Sequence, residues 1–192
     1  MSERLGIFGG TFDPIHVAHV AAAAEVRFAL DLDRVLMVPA GAPWQKQGKV
    51  VAGAEDRAAM VKLACADVDG LEICRVEIDH PGPSVTADTL EALRAPSRSL
   101  FLILGADAVA NMPTWRRLED TRELATVVSV ERAGEQASSP GNGWDLVHVS
   151  IPRLDVASSD IRSRLASGRP IDGLVPPRVA NYLHDHDLYT AR

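Results

Sequence analysis

The stretch GGTFDPIHVAH, residues 9–19, gathers glycines, a hydroxyl, a carboxylate and two imidazoles between a short apolar run and an alanine-rich segment. His16 and His19 are three residues apart, so on a helix beginning there both rings share one face near the positive end of the helix dipole. Imidazoles in that position donate hydrogen bonds to anionic oxygens. Gly9 and Gly10 let the backbone approach a phosphate, Thr11 adds a hydroxyl, and a turn at Asp13-Pro14 brings Gly9 and His16 towards one point. The glycines follow neither GxGxxG nor GxxxxGK(S/T), which sets aside a dinucleotide fingerprint and a Walker loop. A metal site is not expected either: zinc-protease helices space their histidines four apart around a glutamate, and no third ligand lies close in sequence. Taken singly, Gly-Gly is as often an ordinary turn, and a lone histidine is more often a satisfied surface or core residue.

These groups need a scaffold, and the rest of the chain supplies one. Apolar runs alternate with helical patterns: strand Leu5 to Phe8, helix His19 to Leu30, strand Val35 to Val38, helix Glu55 to Cys65, strand Leu71 to Val76, helix Thr86 to Arg94 and strand Leu100 to Leu104. A broken helical stretch to Leu124 comes next, and then strands Thr126 to Val130 and Leu146 to Ile151. FLIL and ATVVSV read as strands buried on both faces, which predicts an α/β fold with a doubly wound, mainly parallel sheet and helices on both faces. In such sheets ligands bind beyond the carboxyl ends of the strands, where residues 9–19 lie. Ser158 and Ser159 begin another helix that Gly168 stops, and Pro176-Pro177 opens the last one. The Gly/Pro-rich stretches Pro39 to Gly53 and Ala133 to Gly143 read as loops, because the strand rhythm resumes after each. The expectation is one domain over residues 1–192.

Composition narrows the class further. The chain is 46% hydrophobic with a formal net charge of −6, ordinary values for a soluble domain with a sizeable core. No apolar run reaches membrane-spanning length and the first residues do not read as a signal peptide, so a cytoplasmic protein is expected. The acidic balance argues against broad nucleic-acid binding. Cys65 and Cys74 are far from any CxxC spacing and read as buried small hydrophobes.

Residues 9–19 closely resemble GxFDPxHxGH, the signature of the nucleotidylyltransferase superfamily, with Ala18 where the signature has glycine. The resemblance implies a Rossmann-like nucleotidylyltransferase fold, His16 and His19 as catalytic residues, and ATP contacts from Gly9, Gly10, Thr11 and Phe12. Through nearly the whole chain it is to the nicotinate mononucleotide adenylyltransferases. VPAGAPWQK, residues 38–46, is similar to a family loop ending Pro-Pro-His-Lys and implies that Lys46 reaches the triphosphate. GPSVTADTL, residues 82–90, resembles a segment that receives the pyridine carboxylate, a role Thr86 inherits; alone it reads as a helix cap. FLILGADAVANMPTW, residues 101–115, implies Asp107 for ribose hydroxyls and Trp115 as a flat face for the cationic nicotinate ring, where a helix cap and a core tryptophan are the plain readings. Arg132 stands where the family has Arg-Pro-Gly, and VASSDIR, residues 156–162, resembles an ATP-phosphate motif that implies roles for Ser158, Ser159, Ile161 and Arg162; a helix cap needs the same serines.

The activity implied by the resemblance is transfer of AMP from ATP to nicotinate mononucleotide in NAD biosynthesis, with Mg²⁺ accompanying ATP. Partners are those two small molecules, with no nucleic acid or membrane; a homo-oligomer stays open. Two alternatives stand beside it. Phosphopantetheine adenylyltransferase acts on a substrate without a pyridinium, which leaves Trp115 and Thr86 without a purpose. A non-catalytic nucleotide-binding module has no use for paired histidines at a helix start.

Overall fold

The computed structural model describes residues 2–43, 51–80, 82–132, 140–141 and 143–191, the side chain of Arg132 excepted. Six strands, β1 (Glu3–Gly10), β2 (Arg34–Pro39), β3 (Leu71–Ile73), β4 (Arg98–Gly105), β5 (Thr126–Arg132) and β6 (Leu146–Ile151), form a sheet in the order β3-β2-β1-β4-β5-β6. Every pairing is parallel, which meets the expected fold class.

Parallel strands need covered faces, and alternate residues along each strand point into two separate cores. Phe8, Val35, Met37, Phe101, Ile103, Val128 and Val130 face one side, covered by α1 (Val17–Ala29), α2 (Ala54–Cys65), α7 (Ser158–Ala166) and α8 (Pro177–Asp185). Leu5, Ile7, Leu36, Val38, Leu100, Leu102, Leu104 and Val127 face the other. There α4 (Thr86–Leu93), α5 (Ala106–Asn111) and α6 (Leu118–Leu124) pack, joined by a short α3 (Val76–Asp79) and a 3-10 turn at Met112–Thr114. Gly6 lies where β1 is closely packed, since a Cβ there would sit 2.8 Å from Val35 Cγ2. Among the described residues no helix is long and apolar enough to cross a membrane. Both cysteines are free thiols; burial pushes Cys65 up to about 12, which suits a packing role.

One element differs from the sequence reading. The expected strand from Leu71 to Val76 stops at Ile73, and Val76–Asp79 is helical. After Cys74 N–H donates to the Met37 carbonyl, the Arg75 carbonyl accepts from Ile78 and Asp79 at 2.8 and 2.9 Å and turns the chain. The Arg75 guanidinium holds that turn by forking onto Glu55 at 2.9 and 3.0 Å and donating to Asp79 at 2.8 Å. The expected broken stretch resolves into α5, the 3-10 turn and α6, with Arg117 in the left-handed region at φ 56° before α6.

At the amino ends of the strands, Glu3 accepts from Arg34 of β2 at 2.8 Å and from Arg98 of β4 at 2.7 Å, clamping three strands. The Arg98 hydrogen bond chiefly, then that of Arg34, hold the Glu3 carboxyl below its ordinary value against the opposing effect of burial. A depressed folded pKa gives stability that is complete above the unfolded carboxylate range and lost as pH falls through the folded value. Glu3→Gln is therefore expected to lower the unfolding free energy by about 0.5–1 kcal/mol at neutral pH. Urea titrations of the two proteins should converge in acid.

Candidate active site

Strands β1 and β4 are neighbours, but their pairing ends at Ile7 and Leu102 although they run on to Gly10 and Gly105. Beyond that point the chain leaves β1 for α1 on one face and β4 for α5 on the other, and a crevice opens between them. Two cavities meet there. The larger, about 740 Å³, is lined by the 9–13 loop, His16, His19, the start of α5 and the start of α7. The smaller, about 220 Å³, reaches under α4 and includes Thr86 and Trp115. Gly9, Gly10, Thr11 and Ala108 border both, so one stretch of backbone forms the wall between them.

His16 caps α1 in an extended conformation at φ −141° and ψ 172°, and His19 sits one turn on. Their rings stack with centroids 3.7 Å apart and planes 25° from parallel. Phe12 meets the His19 ring edge-on at 5.1 Å and Phe8 at 6.2 Å, so aromatic neighbours restrict the orientation of the ring. The His16 backbone N–H donates to His19 Nδ1 at 3.3 Å. A nitrogen that accepts cannot also carry the proton, which assigns the proton of the neutral ring to Nε2 and makes that atom its donor.

The loop that carries these groups is braced from three directions. Asp13, only 4% exposed, accepts Val51 and Ala52 backbone N–H groups at 2.9 and 3.0 Å and the Tyr189 hydroxyl at 2.6 Å. From α7, Arg162 donates to the Asp13 carbonyl at 2.7 Å and Ser158 to the Pro14 carbonyl at 2.9 Å. From α2, buried Arg57 donates to the carbonyls of Thr11 at 2.8 Å and of Gly41 and Ala52 at 3.4 Å. Burial pulls the Arg57 guanidinium below its ordinary value and the Asp13 charge counters that pull.

In the smaller cavity Thr86 opens α4, and Thr89 donates to Glu77 at 2.7 Å. Trp115 ends the 3-10 turn and is half-buried against the core on that face. Arg117 pairs with Asp88 and, at 3.1 Å, with Glu91 of α4 while holding Asp120 of α6 at 2.6 Å, which fixes the Trp115 segment over the start of α4. Gly41 lies between the lining residues Ala40 and Pro43, and a Cβ there would lie 1.9 Å from the Glu77 carbonyl oxygen.

The residues singled out from sequence fall into three groups. Gly9, Gly10, Thr11, Phe12, His16, His19, Ser158, Ser159 and Arg162 border the larger cavity, and Thr86 and Trp115 the smaller. Asp107, grouped with the mononucleotide contacts, borders the larger cavity, and Ile161 is fully buried in the core on the far side of α7. Lys46 and Ala133 lie outside the described residues, as does the side chain of Arg132. Sequence reading missed Arg57 and Tyr189. Arg57 had a signal, an arginine in line with the buried row Val61 and Ala64 of α2; Tyr189 had none.

A doubly wound parallel sheet with paired histidines at the first crevice defines a nucleotidyltransferase type of site, and the sequence profile of the cytidylyltransferase-like family matches residues 7–164. The chain belongs to that family, and within it to the nicotinate-nucleotide adenylyltransferases. It is 46% identical to a probable nicotinate-nucleotide adenylyltransferase of Roseiflexus sp. over 98% of both chains. It is also 46% identical to one of Corynebacterium kroppenstedtii over 97% of this chain and 90% of that one. A Plasmodium falciparum nicotinic acid mononucleotide adenylyltransferase complexed with NaAD shares the fold at a TM-score of 0.80, with 19% identity over 97% of both chains.

Gly41, between two lining residues of the smaller cavity, and Gly9, on the wall that both cavities share, differ in what they demand. Gly41→Ala must push a carbonyl aside and is expected to cost about 1–3 kcal/mol in urea unfolding. At Gly9 a Cβ meets nothing within 4 Å, so Gly9→Ala should leave unfolding within about 0.5 kcal/mol of the parent.

Proposed function

We propose that the chain transfers the adenylyl group of ATP to nicotinate mononucleotide, giving nicotinate adenine dinucleotide and pyrophosphate in NAD biosynthesis, as a single cytoplasmic domain over residues 1–192. The observation that carries this reading is the shared wall: two cavities of different chemistry touch only along Gly9 to Thr11 and Ala108. One offers imidazoles, hydroxyls and a guanidinium to a triphosphate. The other offers an indole face and a threonine at a helix start to a pyridinium carboxylate.

The nucleophile is a phosphate oxygen of the mononucleotide, already anionic, so the reaction needs no general base. That oxygen forms a bond to the α-phosphorus of ATP while the bond from this phosphorus to the bridging oxygen of the β-phosphate breaks. The electron pair leaves with pyrophosphate. Catalysis reduces to alignment and charge stabilisation. His19, donating through Nε2, and His16 support the charge on the α-phosphate; Thr11, Lys46, Ser158, Ser159 and Arg162 serve the β- and γ-phosphates. Asp107 and Arg132 serve the mononucleotide. Mg²⁺ enters with ATP as part of the substrate, held by phosphate oxygens and water.

Pyrophosphate release from MgATP tests the reading, with nicotinate mononucleotide expected to outrun nicotinamide mononucleotide by about tenfold or more and phosphopantetheine to give none. Equal turnover with all three would overturn it. His19→Ala is expected to lower kcat by about 10²-fold or more. Trp115→Ala should raise the mononucleotide KM by about threefold to thirtyfold and leave the ATP KM in place.

A further inference from the structure

Arg57 has no part in the chemistry proposed above and borders neither cavity, yet it is only 2% exposed and its shortest bond goes to the active-site loop. Nη1 donates to the Thr11 carbonyl at 2.8 Å, whereas its contacts with the Ala52 and Gly41 carbonyls are both 3.4 Å. That carbonyl is the first beyond the sheet ladder, since the Gly10 carbonyl before it accepts the Ala40 N–H at 2.9 Å. The next residue, Phe12, borders the larger cavity and not the smaller, and lies in the left-handed region at φ 50°.

In a trans peptide the C=O and the N–H point in opposite directions. A Thr11 carbonyl directed at Arg57, outside both cavities, therefore sends the Phe12 N–H the other way, toward the larger cavity that Phe12 borders. The alternative is half a turn away. Reversing this peptide takes Phe12 from φ 50° to about −130°, an extended value open to any side chain. Local sterics favour the reversed peptide, which would aim a carbonyl oxygen and its negative partial charge at a bound triphosphate. A charged donor on the Thr11 oxygen opposes that reversal.

We propose that Arg57 is a positioning residue for ATP: its bond to the Thr11 carbonyl keeps the Phe12 N–H, rather than that oxygen, facing the phosphates. The inference rests on the reading of the larger cavity as the triphosphate site.

Titrating isotope-labelled protein with Mg²⁺ and α,β-methylene-ATP should move the Phe12 amide proton downfield in the NMR spectrum. Arg57→Gln shortens the side chain and removes its charge. The ATP KM is expected to rise about tenfold, the mononucleotide KM to stay within about twofold of the parent, and the Phe12 amide shift to be lost. Arg57→Lys keeps a buried cation beside Asp13 but has one nitrogen in place of three, and it carries the test if Arg57→Gln does not fold. There the ATP KM should rise about threefold with a weakened amide shift. An unchanged ATP KM in the folded variants, or a raised one with the Phe12 shift intact, overturns this inference alone. So does a parent in which other amides of residues 9–19 respond to the analogue and that of Phe12 does not. A parent in which none of them responds overturns the reading of the larger cavity and this inference with it. A fall in melting temperature with both KM values raised together assigns Arg57 a purely structural role and overturns the inference.

Discussion

Two parallel strands that lie side by side can send their chains to opposite faces of a sheet only by parting, and the rest of this molecule depends on that parting. β1 and β4 pair through Leu102 and then diverge, each ending on glycine, so peptide groups rather than side chains border the gap. Side chains of β1 and β4 on one face join the helices beyond them in one core, and the opposite set forms the other. Neither core can close over the crevice without unpairing the central strands. The site is thus a by-product of topology that the 9–19 segment equips with chemistry.

Equipping it requires burying polar groups. Asp13 and Arg57 are both almost wholly withdrawn from water, which is tolerable because amides, a phenol and carbonyls satisfy them. Their hydrogen bonds tie together segments from the beginning, middle and end of the chain. Such a fully satisfied polar cluster gives a loop one geometry where apolar packing would allow several. It is a suitable support for rings that must hold a fixed orientation, as the stacked histidines do.

Much of this is legible in the sequence because it is local. The alternation of buried runs and helical patterns locates most of the strands closely, and the three-residue spacing of His16 and His19 foretells rings on one face. Local signals fail where a distant group decides. Leu71 to Val76 reads as one strand by its apolar residues, but the chain turns after Ile73, where Arg75 forks onto Glu55 of another helix. Ile161 belongs to a phosphate-motif segment by resemblance, and its four-residue spacing from Leu165 already places its side chain in the core. Asp13-Pro14 announces a turn but not its partner at Tyr189, and no spacing rule links residues so far apart.

Gly41 has a mechanical corollary. Its α carbon is seated against the peptide of Glu77, closer than any residue with a side chain could come. Ala40, Pro43 and Glu77 all line the smaller cavity, so the width of that cavity between the end of β2 and the short α3 is tied to the lack of a single methyl group.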